Sequence, residues 1–472
     1  MHPRQRSLLC TAVSVFALIT LGGTACTAPE SLGAGVKGAP GAAGLRDPYF
    51  PKLGNGGYDV SHYALTLDYE PKTSHLSGTA TITARATQDL SAFNLDLHGM
   101  TVHAATVGQA PAAVNRSGDE LTLRPRDEIA KGSTFRAVVR YSGSPLTITD
   151  PDKSREGWLK TADGAVALGQ PTGSMAWFPG NHHPSDKATY ETTVTVPKGL
   201  TAVSNGELRS QRPTSDGKRT TFVWRSAEPM ASHATTVGIG SYVTKSYRPA
   251  DGGVPVYTAV DKTVAPRTAK LLARIPELMD WAVYNFGPYP FSSTGAIVER
   301  SDDVAYALET QSRAVLPEAS FEPETLVHEI AHQWFGDSVT PETWQDVWLS
   351  EGFATYAEWL YREDFGNTPA SESFREAYDT ESNWEFPPAE QPDAEHFLGE
   401  PVYDRGAMVL HKVREAVGDD AFYEIVQGWA KEHRHGNAST DDFIAYVEGK
   451  SGKDLTALWD TWLYGESKPK QP

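Results

Sequence analysis

From about Tyr58 to Tyr247 the chain alternates apolar and polar positions with period two. The runs YALTLDY (63–69), GTATITARA (78–86), TFRAVVRYSG (134–143), ATYETTVTVP (188–197) and RTTFVWRSA (219–227) are rich in Thr and Val and are separated by turn-forming residues. Side chains that alternate faces in this way predict half-buried β-strands. Several such strands at this spacing predict antiparallel sheets arranged as a sandwich or saddle. After about Arg248 the period changes to that of a helix. The segments 266–287, 323–336, 341–366, 402–418, 419–433, 439–452 and 454–465 repeat apolar residues three and four apart. One strand pair is expected to remain there, VPVYTAV with TGAIVERS. No internal repeat is visible. The fold class is multidomain α+β, an antiparallel β domain followed by a mainly helical domain.

The ends have their own signatures. Arg4 and Arg6 precede an apolar run from Leu8 to Leu21, and small residues follow it. That order is an export signal, and the run is too short for a spanning helix. The chain has two cysteines, Cys10 inside the apolar run and Cys26 where cleavage is expected. The stretch resembles a bacterial lipoprotein signal with Cys26 as the lipidated residue, although Gly23 stands where such signals carry leucine. Plain secretion is the alternative. The expected boundaries are a signal over 1–26, a Gly- and Ala-rich linker over 27–45, a β domain over 46–247, a helical domain over 248–466 and a tail over 467–472. No cysteine is left for a disulfide, so the cores must carry the fold.

Composition narrows the class. The 472 residues are 39% hydrophobic and carry a formal net charge of -18. The first figure marks a globular chain, and the second excludes a nucleic-acid partner. A monomer is expected.

The chemistry concentrates in LVHEIAHQWFGDSVTPETWQDVWLSEGFA, which begins at Leu326. His328 and His332 are four apart, so both point from one helical face toward a single ion. Catalytic zinc takes three protein ligands and keeps one position open. Glu351 lies on the next helical pattern, and a short connection lets that helix return and supply the third ligand. Glu329 sits beside the site.

These segments resemble the gluzincin aminopeptidases, the family of aminopeptidase N and the leukotriene hydrolase. The resemblance extends to YFPKLGNGGYDVSHYALTLDY, to QPTGSMAWFPGNHHPSDKATYETTVTVP and to VYDRGAMVLHKVR. It implies a thermolysin-like catalytic domain over 248–466 and one Zn2+ per chain. It also implies roles: His328, His332 and Glu351 as metal ligands, Glu329 as general base, Tyr403 as the oxyanion partner, and Glu358 orienting a ligand histidine. Glu309, in YALETQS, and Gln170, in GQPTG, match residues that hold a substrate's α-amino group. The implied activity is removal of N-terminal residues from peptides outside the cell, with the membrane touched only through a lipid at Cys26.

This chain departs from the family pattern at several positions. Tyr306 stands at a family glycine, and Leu308 and Thr310 replace Met and Asn of the same motif. Ser350 replaces an Asn, with little effect expected. About seventy residues follow Tyr403, too few for the helical domain that roofs the site in this family. More open access is expected, which keeps an endopeptidase or oligopeptidase as a rival activity. A non-catalytic peptide-binding lipoprotein is the rival from another class. His182 and His183, the pair His433 and His435, and Trp177, Trp334, Trp344 and Trp348 are read as structural.

Overall fold

The structure, a computed structural model, describes residues 38–250 and 252–470. Cys26 and the segment 1–37 lie outside the described residues. An eight-stranded sheet runs in the spatial order Glu207–Pro213, Arg219–Ala231, Lys187–Pro197, Tyr58–Glu70, His75–Ala86, Thr134–Gly143, Thr101–Val107, Ala110–Pro111. All neighbours are antiparallel except Lys187–Pro197, which runs parallel to Tyr58–Glu70. In the strand Tyr58–Glu70, Tyr63, Leu65, Leu67 and Tyr69 point inward, as alternation requires. Val60 is also buried, three residues before Tyr63, because a bulge between Val60 and His62 inserts one residue.

A second sheet of five strands (Thr147–Thr149, Arg155–Lys160, Ala165–Leu168, Val237–Gly240, Thr201–Ser204) is antiparallel throughout. The two sheets share one core, in which Tyr69 meets Trp158 edge-on at 5.1 Å. Ala165–Leu168 is buried at every residue. The core that takes in its side chains runs on to Ala259, Ile297 and Val315 of the sheet that follows.

That third sheet has four strands in the order Tyr242–Tyr247, Val256–Asp261, Thr294–Glu299, Ala314–Pro317. Its middle pair is the one expected from sequence, and it is parallel, with Val256 opposite Thr294. Tyr242–Tyr247, which the alternation assigned to the β domain, pairs antiparallel with Val256–Asp261 instead. Residues 38–45, assigned by composition to the linker, are also part of the fold. Ala39 and Pro40 pair with Leu90 and Ala92, and the Gly41 amide donates to Ala92 O at 2.9 Å. Glycine suits this stretch because a Cβ on Gly41 would lie 2.4 Å from Gly56 O.

The helices are α1 Ala265–Leu272, α2 Ile275–Phe286, α3 Pro323–Ala331, α4 Trp348–Gly366, α5 Ala370–Asp379, α6 Gly406–Val417, α7 Asp419–Glu432 and α8 Thr440–Ser451. Their apolar faces form a second core rich in tryptophan. Trp334, Trp344 and Trp348 are buried there, and Trp177 is buried in the β core, as expected of structural residues. α4 crosses α6 at two glycines. A Cβ on Gly352 would meet Gly406 C at 2.9 Å and Cα at 3.0 Å. Any side chain at that crossing would force the backbones apart. The turn Pro401–Arg405 leads into α6, so this crossing sets Tyr403 against α4. No described helix is long and apolar enough to cross a membrane.

Candidate metal centre

α3 places His328 and His332 on one face, and the first turn of α4 places Glu351 opposite them. Glu351 Oε2 lies 3.4 Å from His328 Nε2 and 3.3 Å from His332 Nε2. The three donor atoms lie within 4.8 Å of one another. Among the described residues they are the only group of His, Cys, Asp or Glu side chains close enough to share an ion. The far nitrogen of each ring is held. His328 Nδ1 bonds to Glu358 Oε1 at 2.7 Å. His332 Nδ1 bonds to Phe335 O at 3.1 Å and to Ser350 Oγ at 3.0 Å. With Nδ1–H donating, both Nε2 lone pairs face the carboxylate. Two imidazoles and one carboxylate, open on one side to a cavity of about 310 Å³, fit catalytic zinc rather than a closed structural site.

The same cavity is lined by Glu329, Tyr403, Glu309 and Gln170. Glu329 is buried, and among the described residues its Oε2 has no hydrogen-bond partner. Burial pushes its carboxyl up to about 8 against the opposing pull of His328 and His332. Burial also raises Glu351, but His332 and His328 outweigh it and hold that carboxylate at about 2. The Tyr403 hydroxyl is driven well above its ordinary range by burial and then by Glu351, Glu309 and Glu329, so it remains a donor. Its ring lies 6.2 Å from His328 at 24°. Burial likewise raises Glu309.

Comparison with known proteins agrees with this geometry. The Peptidase M1 N-terminal domain matches residues 59–233, and the Peptidase family M1 domain matches residues 282–462. The crystal structure of an M1 zinc metallopeptidase from Deinococcus radiodurans is 30% identical, with a TM-score of 0.85 over 90% of this chain and 98% of that one. The chain belongs to the M1 zinc metallopeptidase family. A glutamate-to-alanine mutant of the Deinococcus enzyme, bound to a Tyr-Ser-Ala substrate, is 29% identical with a TM-score of 0.84, covering 91% of this chain and 100% of that chain. Aminopeptidase N of Streptomyces lividans is 27% identical over 315 residues, which are 61% of this chain and 36% of that protein. The tricorn protease-interacting factor F2 of Thermoplasma acidophilum is 24% identical over 452 residues, 87% of this chain and 54% of that protein. The chain therefore spans about half or less of the length of these two curated relatives.

In this M1 site several working residues have no signature in the motif. Ser350, expected to matter little, bridges His332 to Phe335 O, to which its hydroxyl donates at 3.1 Å. Gly336 has φ +122, and a Cβ there would lie 2.3 Å from Ser350 Oγ. A side chain at position 336 would therefore displace the serine. The Glu309 loop is tied to the end of α3 by the Ser312 amide, which donates to Gln333 Oε1 at 2.6 Å. Buried Arg313 anchors the same loop through Gly206 O at 3.0 Å and Tyr257 O at 3.2 Å. Tyr306 lines the cavity, and its hydroxyl donates to Arg155 O at 3.2 Å. His182 and His183 are not ligands. The first bonds to Phe178 O at 3.0 Å and the second to Ser185 Oγ at 2.7 Å.

Proposed function

We propose that this protein is a zinc aminopeptidase that removes N-terminal residues from peptides. The observation that carries the reading is the cavity itself. It brings three ligand donors, the unpartnered Glu329 carboxylate and a second buried acid, Glu309, to one place. Zinc held by His328, His332 and Glu351 supplies a Lewis acid that polarises a carbonyl and makes water nucleophilic near neutral pH. Glu329 accepts the proton of the attacking water and passes it to the leaving amine. The Tyr403 O–H donates to the oxygen that gains negative charge. Glu309 and Gln170 hold the substrate ammonium, Glu309 by a charge-assisted hydrogen bond. The bound Tyr-Ser-Ala of the Deinococcus relative supports a free-amine peptide as the ligand class. We further infer export, with Cys26 as a lipid attachment site on the outer face of the membrane and secretion as the alternative, on the order of charged, apolar and small residues at the N-terminus.

The test is cleavage of aminoacyl-p-nitroanilides and of matched free and N-acetylated peptides, with and without chelator. The expected result is chelator-sensitive release of the first residue, with the acetylated peptides poorly cut. Glu309→Ala is expected to lower efficiency on free-amine substrates about ten- to a hundred-fold, the worth of one charged hydrogen bond. Equal cleavage of free and acetylated peptides at internal bonds would make the enzyme an endopeptidase.

A further inference from the structure

The cavity holds one carboxyl group more than the reaction uses. Four carboxylates line it, Asp152, Glu309, Glu329 and Glu351, and no Lys or Arg is among its lining residues. On the aminopeptidase reading, Glu351 binds the metal, Glu329 moves the proton and Glu309 holds the substrate ammonium. Asp152 is left over. It is also the only charged group among the lining residues to which the chemistry assigns no role.

Asp152 is presented by a built turn rather than a loose loop. The Asp150 amide donates to Ser154 O at 3.0 Å, and the Lys153 amide donates to Asp150 O at 2.9 Å. Lys153 takes φ 72, which closes the turn. The strand that follows is pinned at Arg155 O by the Tyr306 hydroxyl. One residue further on, the fully buried Glu156 accepts from the Thr172 amide at 3.0 Å and from its hydroxyl at 2.6 Å. Thr172 lies two residues past Gln170, so the turn and the amine-binding segment are held as one wall.

The turn uses only one oxygen of Asp152. Oδ1 accepts from the Ser154 amide at 2.9 Å and from its hydroxyl at 2.7 Å. Among the described residues Oδ2 has no hydrogen-bond or ion-pair partner. The neighbouring Lys153 does not neutralise it, being paired with Glu395 at 3.6 Å. With the ammonium at Glu309 and Gln170 and the scissile carbonyl at the metal, the first side chain faces the rest of the wall. Besides Asp152, that wall includes Tyr306 and Leu398, which offer apolar surface. A long aliphatic stem with a cationic tip matches that arrangement, and an aromatic ring face also suits a guanidinium.

We infer that Asp152 forms a specificity subsite for a cationic first residue, so that the enzyme prefers peptides beginning with arginine or lysine. The inference rests on the aminopeptidase reading, and the experiment separates the two. Arginyl, lysyl and norleucyl aminomethylcoumarin amides are compared, norleucine being a straight chain without the charge. The parent is expected to favour arginine and lysine over norleucine by about ten- to a hundred-fold in kcat/KM, the worth of a charged hydrogen bond. Asp152→Asn keeps an acceptor for Ser154 and is expected to collapse that ratio. Glu400→Gln, which removes an exposed charge two residues from the lining Leu398 and outside the cavity, is expected to leave the ratio alone. A parent ratio near one, or a ratio untouched by Asp152→Asn, overturns the subsite while the aminopeptidase reading stands. An equal fall with Glu400→Gln also overturns it, since a diffuse field would then account for the preference. If no amide is cleaved, the aminopeptidase reading fails, and calorimetric binding of argininamide against norleucinamide to the zinc-loaded protein decides the subsite. Tighter argininamide binding that is lost in Asp152→Asn upholds the subsite, and equal binding overturns it.

Discussion

Replacing Gly352 by alanine tests whether the helix crossing, rather than the zinc motif alone, sets the catalytic geometry. The new Cβ would sit 2.9 Å from Gly406 C and 3.0 Å from its Cα. Carbon atoms pack comfortably at about 3.5–4.0 Å, so the two backbones must separate by roughly 0.5–1 Å. Both contacts are backbone, so no flexible side chain can absorb the change. Overpacking of this kind costs about 1–3 kcal/mol, and replacing a helical glycine by alanine returns about 1 kcal/mol. The net loss of stability is therefore small, between about zero and 2 kcal/mol. The effect on turnover is expected to be larger. Gly352 follows the ligand Glu351, and Gly406 lies three residues past Tyr403. A displacement of about 1 Å in a catalytic group costs on the order of a hundred-fold in rate. The expected outcome is a kcat lowered about ten- to a hundred-fold, with zinc content retained and KM little changed. The assay is steady-state hydrolysis of an aminoacyl anilide, with metal content measured on the same preparation. Combining the change with Tyr403→Phe sharpens the test. If Gly352→Ala acts by moving the tyrosine, it should add little once the hydroxyl is gone. A parent-like kcat in the single variant, or full additivity in the double variant, would refute the reasoning.

Three further outcomes are expected. Glu351→Ala should lose both zinc and activity, whereas Glu329→Gln should keep its zinc and lose about 10²–10⁴ in rate, the contribution of general acid–base catalysis; metal analysis beside kinetics checks the contrast. Ser350→Ala leaves Phe335 O as the sole partner of His332 Nδ1 and should weaken zinc about ten-fold, the lower end for loss of a ligand's hydrogen-bond partner, as read by competition with a chromophoric chelator. Stability should fall with acid through His182, whose imidazole is lowered to about 4 by burial despite its bond to Phe178 O. The unfolded chain binds the extra proton below about pH 6.5, so stability is lost as pH falls from about 6.5 to 4. At pH 5 the loss is about 2 kcal/mol, and urea unfolding of the parent beside His182→Gln isolates it; equal pH slopes in the two proteins would remove His182 from the account.

Sequence periodicity by itself determined the order of a β region and a helical region, because alternation and the helical repeat each record locally which face of a segment is buried. It also singled out the three candidate zinc ligands, whose donor atoms lie within 4.8 Å of one another. His328 and His332 share a face through their spacing alone, and Glu351 needed only the return of the following helix. The motif comparison likewise marked Glu329, Tyr403, Glu309 and Gln170, which meet in one cavity. What the tertiary structure decided depends on contacts with no local period. Ala39–Pro40 read as linker until Leu90 and Ala92 supplied partners about fifty residues on. Tyr242–Tyr247 alternates like the strands before it, yet its partner lies after it, so it crossed into the next sheet. Ser350 and Gly336 gained their purpose from the far nitrogen of His332, and Gly352 gained its own from Gly406 on another helix. Asp152 reads in sequence as an ordinary turn residue. Only the tertiary structure puts it in the same cavity wall as Tyr306 and Gln170, with Oδ1 held by Ser154.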